Sequence, residues 1–165
     1  PPEPFSTAVV RAEVPERAGL IDEALPVRED QEWYLRIAKE YEIDFVDAPL
    51  TFRRVGADDH LSADWTALAE QTYPRFLDKH RPFVAEMGPL YERRFVAWLS
   101  RSVGAIGVKR GHSGAARRFL LRSIRAYPLD PMAYAYLLLS FGGRRTFKSA
   151  QLVRRSVGRL VRAVR

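Results

Sequence analysis

Past Arg81-Pro82 the sequence divides into helix-length segments, and each division carries its own stop signal. Gly111, Pro128 and Gly142-Gly143 interrupt otherwise continuous stretches, because glycine readily ends a helix and proline cannot continue one. The spacing predicts helices over residues 89–109, 113–127, 131–141 and 145–164. Ahead of them, Ser62 or Asp64 can cap a helix running towards Lys79, with a kink at Pro74. A chain with this pattern is mostly helical in its second half.

Gly104, Ala116, Leu120 and Pro128 fall at spacings similar to one tetratricopeptide repeat. A solenoid needs about three such repeats to bury its faces, and the chain offers one. A plain helical extension packed on a domain or another subunit is the simpler reading.

The net charge of +7 conceals a division along the chain. Residues 1–100 hold 12 basic and 19 acidic residues, a net of −7, and residues 101–165 hold 15 basic residues and one acid, Asp130, a net of +14. Such asymmetry predicts an anionic partner for the basic part, and nucleic acid and an anionic membrane surface are the two candidates. The last segment, residues 144–165, is a basic amphipathic pattern. Phe147, Ala150, Val153 or Val157, Leu160, Val161 and Val164 share a stripe, and Arg154, Arg155, Arg159, Arg162 and Arg165 lie largely around it. That pattern fits a membrane surface, or a helix docked on the protein with its basic face in water. No nucleic-acid-binding motif is present, which disfavours nucleic acid. The longest apolar run, residues 133–141, is less than half of the roughly 20 residues a spanning helix needs. With no cysteine there are no disulfides and no cysteine-based zinc site.

The first part reads differently. Residues 8–12 have the pattern of a short strand, Pro15 opens a helical turn through Ala18, and Gly19 ends it. Asp30 is a plausible N-cap for a helix from about Gln31 to Tyr41, with Trp33, Ile37 and Tyr41 on one face. Residues 43–46 and 50–53 read as short strands joined through Asp47-Ala48-Pro49. The expected fold class is therefore α+β: mainly helical, with a few short strands.

Within this part stands Gly19-Leu20-Ile21-Asp22-Glu23, followed after a short loop by Glu29-Asp30, Trp33 and Arg36. The arrangement resembles the acceptor-side motif of family 2 glycosyltransferases, inverting enzymes of GT-A fold, over roughly residues 5–65. The resemblance implies that residues 1–65 are the closing part of a GT-A domain, followed by a helical extension over 66–143 and the basic helix 144–165. It implies transfer of a sugar from a nucleotide diphosphate donor to a glycan or lipid-linked acceptor, with a divalent metal, Mg or Mn. The family's Asp-x-Asp metal motif occurs nowhere in the sequence. The expectation is therefore a C-terminal, acceptor-side portion, inactive alone, cytoplasmic and peripheral on the inner face of a membrane.

By the same resemblance Asp30 matches the base that takes the acceptor's proton, and Glu29 orients it or binds acceptor hydroxyls. Read from the residues alone, Asp30 caps a helix and Glu29 is solvated; cap and base are compatible, because a helix N-terminus favours the ionised form. Trp33 is either a platform for a sugar ring or a core residue beside Ile37. Arg36 either reaches a diphosphate or pairs with Glu29 or Glu32, and Glu32 stands at four-residue spacing. Asp22-Glu23 reads as a turn determinant. His60, in Asp58-Asp59-His60, is a candidate metal or diphosphate ligand, with a solvated loop as the alternative. The rival function is a non-catalytic helical module that binds a protein or an anionic membrane surface.

Overall fold

The computed structural model describes residues 7–52 and 64–142, and these are helical with no strand among them. The chain divides into two compact units, residues 1–72 and 73–165. Among the described residues no helix is long and apolar enough to cross a membrane.

The first unit opens with α1, Val14–Ala18, which has Pro15 in its first turn and ends at Gly19. Helix α2, Glu29–Glu40, follows, with Glu29, Asp30 and Glu32 in its first turn, where acidic side chains complement the helix dipole. Val14 and Ala18 of α1 pack on Trp33 and Ile37 of α2, and Ile21, Tyr34 and Tyr41 flank that cluster. The unit closes with a short α3, Trp65–Ala67, and a π-helical turn, Leu68–Thr72. Asp64 caps α3 by accepting the Ala67 N–H at 2.9 Å. Thr72 donates its hydroxyl to the Val27 carbonyl at 3.1 Å, which fixes the buried segment before α2.

Residues 8–12, 43–46 and 50–52, expected as strands, form no ladder among the described residues. Residues 42–52 make tight local turns instead: Ala48 N–H donates to Val46 O and Leu50 N–H to Ala48 O, both at 2.9 Å. Ile43, Phe45, Val46, Leu50 and Phe52 are left exposed, Phe52 almost wholly at 97%. The physical reason is that strand propensity measures fitness for a pleated, half-buried surface, and a strand exists only when a neighbour accepts its hydrogen bonds. Residues 53–63 lie outside the described residues.

The second unit contains α4, Tyr73–Glu86; α5, Pro89–Arg110; α6, Ser113–Ala126; and α7, Pro131–Phe141. Helix α4 carries Pro82 within it and runs past the expected end near Lys79. The irregularity expected at Pro74 is placed earlier, as the π turn. Gly111, in a left-handed conformation, ends α5 and lets its N–H reach the Gly107 and Val108 carbonyls. Asp130 caps α7 by accepting the Met132 N–H at 3.0 Å. Helix α5 and helix α6 are antiparallel: Ser123 donates to Ala97 O at 2.9 Å at one end, and Gly104 meets Leu120 and Ala116 further along.

Gly104 allows that approach. A Cβ there would stand 2.7 Å and 2.8 Å from Leu120 side-chain carbons and 3.2 Å from the Ala116 carbonyl oxygen. The residues whose spacing is similar to a tetratricopeptide repeat therefore form one helix–helix contact. Gly104→Ala gains up to about 1 kcal/mol of helix propensity but overpacks a close contact at about 1–3 kcal/mol. A lower melting temperature is expected, by several degrees at roughly 2–4 °C per kcal/mol, and Gly104→Ala/Leu120→Ala should be destabilised by less than the sum of its two single variants. Calorimetry checks this, and a raised melting temperature in the single variant would show slack at the contact.

The basic segment 144–165 lies outside the described residues.

Candidate functional site

The turn at Ala18-Gly19-Leu20 and one face of α2 form a single clasp. Gly19 adopts φ 73°, a left-handed value that costs glycine little and other residues more. A side chain there would also begin 3.0 Å from Arg36 Nη1. Trp33 donates its indole N–H to the Gly19 carbonyl at 2.7 Å. Arg36 donates Nη1–H to Ala18 O and Nη2–H to Leu20 O, the latter at 2.6 Å. Its Nε lies 3.0 Å from both carboxylate oxygens of Glu32. Glu32 is 0% exposed, so the pair is a buried one.

Of the two alternatives for Arg36, the structure holds the four-residue pair with Glu32 and adds two backbone carbonyls to it. The guanidinium is thereby occupied within the fold. Trp33 is 4% exposed and belongs to the core with Ile37, so no ring face is open to a sugar in this arrangement. Asp22 makes a local turn, accepting the Ala24 N–H at 3.1 Å on Oδ1 and the Leu25 N–H at 3.0 Å on its backbone carbonyl.

Glu29 and Asp30 are the first two residues of α2, both half-buried. The N-cap position belongs to Arg28, not to Asp30, and its side chain makes no capping bond. Asp30 sits inside the first turn, where its Oδ1 accepts the Gln31 N–H at 2.7 Å. The reason is the backbone of Arg28, whose φ of 64° and ψ of 24° turn the chain into the helix two residues earlier. Arg28 is the non-glycine residue at positive φ among the described residues. Such strain costs on the order of 1–3 kcal/mol and gathers at functional sites.

Burial holds the Arg28 guanidinium below its ordinary pKa, against the pull of nearby Asp30. One turn along α2, burial and then the Asp30 charge push the Tyr34 phenol above its ordinary value. The Tyr34 hydroxyl is buried with no hydrogen-bond partner among the described residues. Arg28 and Tyr34, which the sequence did not single out, join Glu29 and Asp30 in the candidate site. The one sequence signal for Tyr34 was its place four residues after Asp30.

Tyr34→Phe should leave stability unchanged or raise it by up to about 1 kcal/mol, since an unpaired buried hydroxyl is a cost rather than a bond. The pH dependence has a definite sign. A phenol raised in the folded state stabilises fully below the unfolded value near pH 10 and loses that contribution as pH rises through the folded value. An alkaline absorbance titration should therefore show a late-ionising tyrosine that disappears in Tyr34→Phe. Simultaneous titration of all the tyrosines would contradict this.

Chemically, the arrangement offers a carboxylate pair at the positive end of a twelve-residue helix, beside a partly buried guanidinium. It can accept a proton or bind hydroxyl groups. It does not fit a metal: among the described residues no three His, Asp or Glu side chains come together as ligands. His60 lies outside the described residues.

The second unit has an open cleft of about 320 Å³ lined by Arg94, Trp98, Arg101, Tyr127, Leu129 and Asp130. Its charges are satisfied internally. Arg101 Nε lies 2.6 Å from Asp130 Oδ2, and Arg94 stacks over the Tyr127 ring at 5.2 Å.

Comparison with known proteins adds no relative: no family model, curated protein or solved structure matches the chain.

Proposed function

We propose that the chain supplies the acceptor side of an inverting glycosyltransferase. The observation that carries this reading is Glu29-Asp30 opening α2 directly after the strained Arg28, on a helix whose Glu32, Trp33 and Arg36 clasp the Gly19 turn. In this reading Asp30 takes the proton from the acceptor hydroxyl as that oxygen attacks the anomeric carbon. Glu29 orients Asp30 or binds a neighbouring hydroxyl. Trp33 and Arg36 serve the acceptor by holding the turn beside it.

The donor, a nucleotide diphosphate sugar, and the divalent ion (Mg or Mn) belong, in this proposal, to the remainder of the complete enzyme. Residues 43–46 and 50–53 would pair with the sheet of that GT-A domain, which accounts for the exposed side chains of Ile43, Phe45, Val46, Leu50 and Phe52. The acceptor is a glycan or a lipid-linked sugar. The deciding experiment is Asp30→Asn in the complete enzyme, with sugar transfer and donor binding measured side by side. Loss of transfer with donor binding retained supports the reading.

A non-catalytic module binding an anionic surface is the second reading. The observation that favours it is that Arg118 and Arg125 of α6 are exposed and make no ion pair or hydrogen bond among the described residues, and it can hold together with the first reading.

A further inference from the structure

We propose that the exposed face of α6 is a docking surface for anionic lipid headgroups, and this inference does not depend on Asp30 or on sugar transfer. The packing of α6 fixes which face looks outward. Ala116, Leu120 and Ser123 are fully buried, and Ser123 is tied to Ala97 O. The opposite face carries Arg118, Leu121, Arg122 and Arg125, all exposed. At 1.5 Å per residue, Arg118 to Arg125 covers about 10 Å, two turns of one face.

The positive charge of this face has no counterpart nearby in sequence. Past Glu92, which pairs with Arg81 at 2.6 Å, the only acid in the chain is Asp130. Asp130 is already held by Arg101 at 2.6 Å and by the start of α7. Between Arg101 and Gly142 the sequence carries seven basic residues against that one acid. Arg118 and Arg125 have no ion pair or hydrogen bond among the described residues, while Arg122 leans over the Tyr73 ring at 5.5 Å. Like charges four residues apart destabilise a helix by a few tenths of a kcal/mol, so Arg118 and Arg122 are a small cost to the isolated fold. A surface evolved only for solubility mixes both signs. A surface of one sign is complementary to a polyanion.

Lipid suits this face better than nucleic acid does. Leu121 is 40% exposed in the middle of the arginines, an apolar side chain placed to enter a headgroup layer. The face holds no aromatic ring on which a base could stack. Guanidinium groups grip phosphate by paired hydrogen bonds, which holds for phospholipid headgroups.

The test uses the full chain with vesicles of phosphatidylcholine alone and of phosphatidylcholine with equimolar phosphatidylglycerol. Binding should appear only with the anionic vesicles and weaken with salt. Arg118→Gln/Arg125→Gln should weaken it roughly 30-fold, at about 1 kcal/mol per basic residue. Its circular dichroism should be unchanged, since neither side chain has a partner to lose among the described residues. Lys109→Gln/Arg110→Gln removes the same charge from the end of α5 and should weaken binding less. Unchanged binding in the α6 variant would place any lipid affinity elsewhere, including residues 144–165, and overturn the proposal. Equal weakening by the two pairs would reduce it to net charge and also overturn it. So would absence of vesicle binding, or tighter binding to a nucleic acid duplex than to the anionic vesicles.

Discussion

Arg36→Ala is expected to cost about 3–5 kcal/mol of stability, because it takes from the buried Glu32 carboxylate the guanidinium that meets both of its oxygens. Glu32 is fully buried, and the side chain of Arg36 retains 17% exposure. The two partners therefore differ. Removing Glu32 leaves a guanidinium that can turn towards water, so Glu32→Ala should cost less than Arg36→Ala. Removing Arg36 also frees the carbonyls of Ala18 and Leu20, which nothing else in the clasp replaces. Arg36→Lys should fall between, since an ammonium meets Glu32 as a point charge but lacks the planar fork that spans three acceptors. Equilibrium unfolding in urea ranks the three variants. A loss under about 1 kcal/mol for Arg36→Ala would mean that the pair behaves as an exposed one and that the clasp contributes little.

The parts of the fold legible in the sequence were those set by local chemistry. Asp130 before Pro131, with Gly142 after Phe141, marks both ends of α7, and the helix has those ends. Gly111 marks the end of α5 because a left-handed residue is needed there. Gly19 closing α1 is the same case. What the sequence left open depends on contacts between distant segments. Glu32 and Arg36 at four-residue spacing read as an intrahelical pair, one of the alternatives for Arg36; its burial, which spacing cannot show, comes with Ala18 and Leu20, whose carbonyls the guanidinium also meets. Trp33 could have been platform or core, and the carbonyl of Gly19, fourteen residues earlier, receives its N–H. Residues 43–46 have strand composition, but composition cannot supply a neighbouring strand. Arg28 was invisible for a sharper reason. A glycine announces positive φ, whereas an arginine held there by its surroundings carries no mark in the sequence.

Asp30→Asn in the complete enzyme is expected to lower the rate of sugar transfer about 10²–10⁴-fold, the usual range for a lost general base. Donor binding should be nearly unchanged, since the amide keeps the side chain's shape. The bond from the Gln31 N–H should survive, because Asn retains an acceptor oxygen at the position of Oδ1. The small favourable interaction between a carboxylate and the helix N-terminus is lost, about 0.3–1 kcal/mol, so the variant should remain folded. Glu29→Gln provides the contrast. If Glu29 only orients Asp30 or binds a hydroxyl, its effect should fall on acceptor KM more than on kcat. A rate in Asp30→Asn within a few-fold of the parent would remove Asp30 as the base. The carboxylate would then be a first-turn residue of α2 and nothing more, and Glu29 would be the remaining candidate in that turn.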